Sequence, residues 1–216
     1  MGREFLEIFE DWADSYDSFV EGQDPQYEEV FRGYDRILSD IVAKCGNYVL
    51  EFGVGTGNLT RKLLDGGKIV FPIEPSPQMC DLAKAKLGSA VQIHDGDLLV
   101  FPLPPHRVDA IVSSYVFHHL NDSEKAEAAR CYFGLLPMGG KVIFADTMFE
   151  SEAVRRQAIE KAHTSGFADL KTDLEREYYP LVPDMARIFE SAGFTVAFTQ
   201  YNDFVWIMEA TKAVGN

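Results

Sequence analysis

The sequence of 216 residues lacks the features that mark membrane and secreted proteins. Its apolar stretches, such as residues 98–105 and 110–117, are far shorter than the roughly 18 to 20 residues that span a bilayer. The N-terminal residues include several acids and no apolar run, which excludes a secretory signal peptide. We therefore expect a cytoplasmic protein that does not contact a membrane.

Cysteine is scarce and its spacing is uninformative for a metal or disulfide framework. Cys45, Cys80 and Cys131 are odd in number, far apart in the chain and contain no Cys-x-x-Cys pair. This pattern favours buried, reduced thiols over disulfides or a cysteine zinc site.

Basic residues are outnumbered by acidic ones, 20 against 34, which gives a formal net charge of −14. Such a balance opposes contact with phosphates over a broad surface, so nucleic acids and anionic membranes are poor partners. The excess is uneven, because residues 1–29 contain ten acids and only one basic residue, Arg3. We interpret this run as the solvated face of a helix.

The remaining composition, 46% hydrophobic and 25% charged, is that of one globular domain of about this length. Helical spacing of aromatic residues predicts a helical N-terminal segment, or lid, over residues 1–45. Alternating short apolar runs and helical stretches then predict cofactor-binding βα units over 46–147, and polar helices over 148–180 predict an insertion that shapes an acceptor pocket. A helix and a β-hairpin over 181–216 complete a single domain. The predicted strands are 48–52, 68–73, 90–94, 108–113, 140–146, 194–201 and 204–211.

A glycine-rich turn follows the first predicted strand and precedes a helix. Gly53, Gly55 and Gly57 allow a tight turn and a close approach of a ligand to backbone amides. A dinucleotide fingerprint would place its third glycine at position 58, which is Asn58. Glu51, two residues before Gly53, suits a ligand with an amino group and would repel a pyrophosphate.

Carboxylates end the next two predicted strands. Glu74 lies 17 residues after Gly57, where a carboxylate accepts hydrogen bonds from both hydroxyls of a ribose. Asp97 could bind an adenine amino group beside the backbone of Leu98, or it could simply form a turn.

These motifs occur in the order typical of a known family. Residues 51–57, 74–79, 96–97, 109–120, 137–142 and 191–194 resemble the successive motifs of class I S-adenosylmethionine-dependent methyltransferases. With residues 12–17 and 202–206, the whole chain is similar to the YrrT-type group of uncharacterised methyltransferases. The resemblance implies an α/β fold with one doubly wound, Rossmann-like sheet of seven strands, order 3-2-1-4-5-7-6, the seventh antiparallel.

The resemblance also implies S-adenosyl-L-methionine as cofactor and methyl donor. It places the cofactor against Glu51, Gly53, Gly55, Gly57, Glu74, Asp97, Leu98 and Ser113. This sequence has Glu at positions 51 and 74, where the family usually has Asp. The implied function is methyl transfer to a small-molecule acceptor by in-line displacement, releasing S-adenosylhomocysteine, with a link to sulfur-amino-acid metabolism.

A sulfonium methyl group is already activated, so few catalytic residues are expected. His118 is a candidate base and Tyr16 a second candidate catalytic residue. We expect no metal site, because His118 and His119 are adjacent and would diverge by about 100° on a helix, and no third residue has ligand spacing. If one of them is structural, it satisfies local hydrogen bonds while the other packs.

Other functions stay open from the sequence alone. A non-catalytic S-adenosylmethionine-binding module, a nicotinamide-dependent oxidoreductase and an aminopropyl transferase are the alternatives. Asn58 and Glu51 count against the oxidoreductase. The basic residues of the insertion could receive a carboxylate of the acceptor or pair with neighbouring acids. A monomer and a homodimer are equally compatible with the sequence.

Overall fold

The computed structural model describes residues 16–20 and 22–213, and the side chains of all of these except Tyr16 and Phe19. Six strands form one mixed sheet in the described part of the chain: β1 (Tyr48–Phe52), β2 (Ile69–Ile73), β3 (Ala110–Ser114), β4 (Lys141–Thr147), β5 (Phe194–Gln200) and β6 (Val205–Lys212). Their order is β2-β1-β3-β4-β6-β5. The first four strands are parallel, and β6 pairs antiparallel with both β4 and β5.

Helices cover both faces of this sheet because side chains alternate along each strand. Val49, Val112 and Ile143 pack into one hydrophobic cluster. Leu50 and Phe144, each adjacent in sequence to one of these residues, pack into the other. Near-continuous apolar strands with both faces buried are typical of a parallel sheet with helices on each side, as the sequence predicts.

The helices are α1 (Tyr16–Val20), α2 (Glu28–Phe31), α3 (Tyr34–Lys44), α4 (Asn58–Asp65), α5 (Pro77–Leu87), α6 (Asp122–Leu135), α7 (Glu152–Thr164), α8 (Ala168–Arg176) and α9 (Val182–Ser191). Local chemistry sets several of their starts. The Ser76 hydroxyl accepts from the amide of Met79 and precedes a proline at the first helical position. Asn121 and Glu124 form a reciprocal capping box at the start of α6.

The predicted third strand, residues 90–94, is not a strand in this structure. Only His94 pairs with β2, through an isolated parallel bridge to Ile73. The His94 amide donates to the carbonyl of Pro72, and the Glu74 amide donates to the carbonyl of His94. Pro72 has no N–H with which to make the next rung toward residue 92. The described sheet therefore has six strands where seven were predicted, and the order of the other six agrees.

The N-terminal segment differs from its prediction in one described detail. The sequence pattern indicates one helix over 26–44. The structure instead has two helices, α2 and α3, which are separated at Gly33, whose φ is +81°. A left-handed backbone residue ends a helix, and glycine adopts it without steric cost. The helical spacing of Phe5, Phe9 and Trp12 also predicts an amphipathic helix over residues 3–20, which falls outside the described residues except for α1.

The segment 148–180 packs against the N-terminal helices. Ala162, Leu170 and Leu174 share a hydrophobic cluster with Tyr27 and Phe31. The Tyr27 hydroxyl also donates to Asp173 Oδ2 at 2.5 Å.

Two further predictions have mixed outcomes. The three cysteines are free, but Cys131 is exposed and only Cys45 is fully buried, so the expectation of buried thiols is wrong for Cys131. Within the described ranges, no helix has the length and apolarity needed to span a membrane.

Candidate functional site

A cavity lies at the carboxyl ends of β1, β2 and β3. In parallel α/β sheets this edge is where ligands bind, because loops from neighbouring strands meet there. Five of the eight residues predicted to bind a cofactor line the cavity: Gly53, Gly55, Glu74, Asp97 and Leu98.

Two glycines of the turn after β1 serve different purposes. Both have positive φ, +69° at Gly53 and +56° at Gly55. A Cβ added at Gly53 would lie 2.3 Å from Val116 Cγ2, so this glycine is required by packing. A Cβ added at Gly55 would meet nothing within 4 Å. Gly55 lines the cavity, and the open space beside it leaves room for a ligand to approach the backbone.

The Glu74 carboxylate holds this loop in place. Its Oε2 accepts from the Gly55 amide at 2.8 Å, and its Oε1 accepts from the Ser76 amide at 2.9 Å. Burial raises the pKa of Glu74 to about 7, although both backbone hydrogen bonds act in the opposite direction. A carboxylate oxygen accepts more than one hydrogen bond, so Glu74 retains capacity for hydroxyl groups of a ligand.

Glu51, Gly57 and Ser113 lie outside the cavity lining. Glu51 is fully buried, and its Oε2 accepts from the Thr60 hydroxyl at 2.8 Å. Its Oε1 and the Ser113 hydroxyl have no hydrogen-bond partner among the described residues. Burial raises the pKa of Glu51 to about 8. Gly57 is the N-cap residue that precedes α4, and a Cβ there would lie 3.1 Å from Leu87 Cδ1.

Asp97 forms a turn and lines the cavity at the same time. Its Oδ1 accepts from the amides of Leu99 and Val100, at 2.9 and 2.8 Å. Leu98 is held by its carbonyl, which accepts from the Tyr132 hydroxyl at 2.7 Å. The turn interpretation of Asp97 is therefore correct, and a contact of Asp97 with adenine stays a prediction.

Two tyrosines form an aromatic wall of the cavity. The rings of Tyr34 and Tyr115 lie 5.8 Å apart, and Phe31 contacts both. Among the described residues, Tyr115 is the one non-glycine residue with a positive φ, +58°. A left-handed non-glycine residue at a ligand cavity stores strain of roughly 1 to 3 kcal/mol, which the surrounding packing must hold.

The two adjacent histidines occupy different environments. His118 is buried outside the cavity lining, with Nδ1 2.6 Å from Asp146 Oδ1 and Nε2 3.1 Å from Glu177 Oε2. Burial lowers the pKa of His118, but both carboxylates outweigh it and raise that pKa to about 10. His119 lines the cavity, and burial together with the charge of His118 lowers its pKa to about 3.

This arrangement changes two predictions. The structure does not bring His118, the predicted base, into the cavity, and His119 is the histidine that borders it. No third residue with ligand spacing lies near the histidines in the sequence, but the fold places the distant Glu177 beside them. Tyr16, the other predicted catalytic residue, begins α1, but its side chain is not among those that the structure describes.

An acidic residue of α1 connects the N-terminal segment to the glycine loop. Asp17 accepts from the Thr56 hydroxyl at 2.7 Å, from Asn58 Nδ2 at 3.1 Å and from Lys86 Nζ at 2.8 Å. Thr56 and Asn58 both line the cavity. The Asp17 network therefore lies beside the cavity.

Sequence reasoning missed Tyr34, Tyr115 and Asp146 as site residues. Tyr34 was one of many apolar positions of a helix, and nothing local distinguishes it. Asp146 does carry a signal, since it is an acid at the end of an apolar strand, as Glu74 is. The same signal predicts both residues at the carboxyl edge of the sheet.

Comparison with known proteins agrees with this architecture. A family model described as a methyltransferase domain matches residues 49–140. An uncharacterised methyltransferase of Geobacillus thermodenitrificans is 57% identical over 98% of this chain and 99% of its own length. The uncharacterised methyltransferase YrrT of Bacillus subtilis is also 57% identical, over 98% of this chain and 100% of its own.

Solved structures share the fold at low sequence identity. A possible histamine N-methyltransferase of Thermotoga maritima, described as dependent on S-adenosylmethionine, has a TM-score of 0.69 and 18% identity, covering 96% of this chain and 99% of its own. Magnesium protoporphyrin IX methyltransferase of Synechocystis, solved with bound S-adenosylmethionine, has a TM-score of 0.63 and 18% identity, covering 87% of this chain and 84% of its own.

Proposed function

The chain belongs to the YrrT-type S-adenosylmethionine-dependent methyltransferases, and we propose that the cavity beside its glycine loop binds this cofactor for methyl transfer to a small-molecule acceptor. The cofactor supplies an activated sulfonium methyl group, which an acceptor lone pair displaces in line, releasing S-adenosylhomocysteine. Family membership decides against the nicotinamide-dependent oxidoreductase. One observation carries the proposal: Glu74 holds the open backbone at Gly55 at the edge of the cavity.

The residues present fit the nucleoside part of the cofactor. Glu74 is a buried carboxylate of the cavity, and its remaining lone pairs suit the two hydroxyls of a ribose. Asp97 and Leu98 continue the wall from there, at the position that the family resemblance assigns to adenine.

The residues also fit the methionyl part. Glu51 Oε1 is a buried acceptor without a partner in the described chain, and an unpaired buried acceptor costs about 1 to 3 kcal/mol. An ammonium group would satisfy it through water, because Glu51 lies outside the cavity lining, and its positive charge would favour the ionised form of this carboxyl. Because the methyl-bearing sulfur is cationic, the rings of Tyr34 and Tyr115 would attract it by about 0.5 to 2 kcal/mol.

The chain's contribution to the reaction is then mainly to bind, orient and exclude water. Packing holds Tyr115 in its left-handed backbone conformation, and its amide donates a hydrogen bond of 2.8 Å to the carbonyl of Ala145. These contacts fix the position of the ring at the cavity. His119 at the cavity is neutral near pH 7, because its pKa is lowered to about 3, so it is a weak base toward the acceptor.

We further propose that the N-terminal helix closes the cavity, with Asp17 as its anchor on the glycine loop. Segment 148–180 then forms part of the acceptor side, because Glu177 lies against His118, and His119 borders the cavity. A cytoplasmic location, a link to sulfur-amino-acid metabolism and a monomeric or homodimeric state belong to the same proposal.

Calorimetric titration tests the proposal directly. S-adenosylmethionine and S-adenosylhomocysteine should each bind with one site per chain, and a screen of small acceptors should then yield S-adenosylhomocysteine. Failure of both ligands to bind contradicts the cofactor site. Binding without product from any acceptor class favours the alternative, a non-catalytic S-adenosylmethionine-binding module.

A further inference from the structure

A compact donor cluster lies beside the cofactor cavity, and only His119 of its three residues borders that cavity. His118, His119 and Glu177 each offer one ligand atom, and these atoms lie within 4.8 Å of one another. All three residues are buried, with 6%, 6% and 8% of their surface exposed. Glu177 comes from the end of α8, whereas the histidines follow β3, so the fold itself assembles the cluster.

The donor set is one that transition metals prefer. Two imidazoles and one carboxylate bind catalytic zinc in proteins, and they leave a fourth position for water or substrate. Zinc-to-ligand distances of about 2.0 to 2.2 Å in a tetrahedron place neighbouring donor atoms about 3.4 Å apart. His118 Nε2 and Glu177 Oε2 are 3.1 Å apart. This pair is therefore close to the spacing that a bound ion needs.

The groups around these donors orient them as they would in a metal site. Asp146 Oδ1 lies 2.6 Å from His118 Nδ1, so His118 keeps the Nδ1 proton and turns Nε2 toward Glu177. The Tyr179 hydroxyl donates to Glu177 Oε2 at 2.6 Å, and its ring lies 4.7 Å from that of His118. Carboxylate support of a ligating imidazole is the usual outer arrangement of such sites.

The cluster also has two approaches. His119 borders the cofactor cavity, while Glu177 and Tyr179 border a separate surface groove between α7 and the end of α8. An ion could enter from the groove and present its open position toward the cavity side.

We propose that His118, His119 and Glu177 bind a divalent first-row transition metal, with zinc as the ion best suited to this donor set, and that Asp146 is its positioning carboxylate. Binding releases the proton on His118 Nε2 to solvent, while the Nδ1 proton stays with the Asp146 hydrogen bond. Metal binding would be a property additional to methyl transfer, and it does not depend on the proposed cofactor site.

A metal titration of the full chain without an affinity tag tests this site. Protein stripped with a chelator should bind one equivalent of zinc chloride in competition with a chromophoric chelator. His119→Ala and Glu177→Gln should each weaken zinc binding at least tenfold, because each removes one ligand. Glu177→Gln keeps an oxygen acceptor for Tyr179, so it preserves the local hydrogen bond.

Controls separate the site from incidental surface binding. His163→Ala, on α7 outside the cluster, should leave zinc affinity unchanged. Asp146→Asn should weaken it about 10- to 100-fold, the range expected for a positioning partner. Cobalt(II) bound in place of zinc should lack thiolate charge-transfer bands, which excludes the three cysteines as ligands.

Two results would overturn the proposal. One is a stripped wild-type protein that binds zinc no more tightly than His119→Ala. The other is tight binding that neither His119→Ala nor Glu177→Gln weakens, which would place the ion elsewhere. S-adenosylmethionine titration of the same samples reports on the cofactor cavity, so either site can fail alone.

Discussion

The Oε2 atom of Glu74 lies 2.8 Å from the backbone nitrogen of Gly55, so the carboxylate that follows β2 holds the glycine loop that follows β1. This side-chain contact adds to the backbone hydrogen bonds from Gly53 and Val54 to the carbonyl of Ile73, where the two strands end. This contact gives Glu74 two tasks, the position of the loop and the recognition of a ligand.

Replacement of Glu74 should separate binding from folding. Glu74→Gln keeps one oxygen acceptor but loses the charge and half of the acceptor capacity, so S-adenosylmethionine affinity should fall at least tenfold, or about 1.4 kcal/mol. Calorimetric titration measures this change. Glu190→Gln, an exposed change on α9, is the matched control, and equal affinities of the two variants would remove Glu74 from the site.

The two cavity glycines should respond differently to alanine. Both substitutions cost roughly 1 to 2 kcal/mol for the left-handed backbone. Gly53→Ala also forces a Cβ against Val116, so it should lower the free energy of unfolding in urea by about 1 to 3 kcal/mol more than Gly55→Ala. Gly55→Ala should instead fold and bind S-adenosylmethionine weakly. Equal stability of the two variants would contradict the packing role of Gly53.

The aromatic wall should distinguish the cationic cofactor from its neutral product. Tyr115→Leu should weaken S-adenosylmethionine binding by about 2- to 30-fold, the range of a cation–π contact, with less effect on S-adenosylhomocysteine. Tyr115→Phe retains the ring and should keep the wild-type ratio of the two affinities. A ratio that is the same in Leu and Phe variants would show that the ring does not face the sulfonium.

Stability should depend on pH through Glu51. Its raised pKa of about 8 means that the folded protein retains a proton that the unfolded chain releases near pH 4.5. The folded state therefore binds more protons in this window, and the contribution of Glu51 to unfolding free energy falls as pH rises from 5 to 8.

Glu51→Gln imitates the protonated form and keeps an acceptor for Thr60. Relative to wild type, it should gain about 1 kcal/mol or more of unfolding free energy between pH 5 and 8, measured by urea denaturation without ligand. A difference that stays constant over this range would mean that Glu51 titrates normally.

A substitution that changes one side-chain atom of Asp17 tests whether this residue anchors the N-terminal helix. Asp17→Asn keeps an oxygen for Thr56 but loses the charge that pairs with Lys86, and it should weaken S-adenosylmethionine binding about 2- to 10-fold if the helix covers the cavity. Asp81→Asn, exposed on α5 and paired with Lys84, is the control. Unchanged affinity in Asp17→Asn would leave the N-terminal helix without a role at this site.

The fold was largely readable from the chain because its elements carry strong local signals. β1 begins and ends at the predicted residues, since an apolar run defines it, and a serine cap with a proline at the first helical position marks the start of α5. The prediction of a strand over residues 90–94 was wrong because a strand forms there only if a neighbouring strand can pair with it. Their neighbour β2 presents Pro72, which cannot continue the ladder, and only the pairing of the two segments exposes this conflict.

Residues of the candidate site could be predicted from the sequence only where a single segment of the chain contains the complete motif. Gly53, Gly55 and Glu74 follow strands in a recognisable register, and the structure places all three at the cavity. Tyr115 has no local mark, because its strained φ depends on packing around it. Asp97 was placed at the cavity, but only the structure shows that one of its oxygens caps a turn.

The sequence by itself determined the glycine loop with its carboxylates, because these features depend on residues close together in the chain. The class of protein and the order of the strands came from the resemblance of its motifs to a known family. The tertiary structure decided which histidine borders the cavity and that Glu177, nearly sixty residues away, joins the pair. Such distant groups meet only when helices pack on the sheet, and their burial and pKa values depend on that packing.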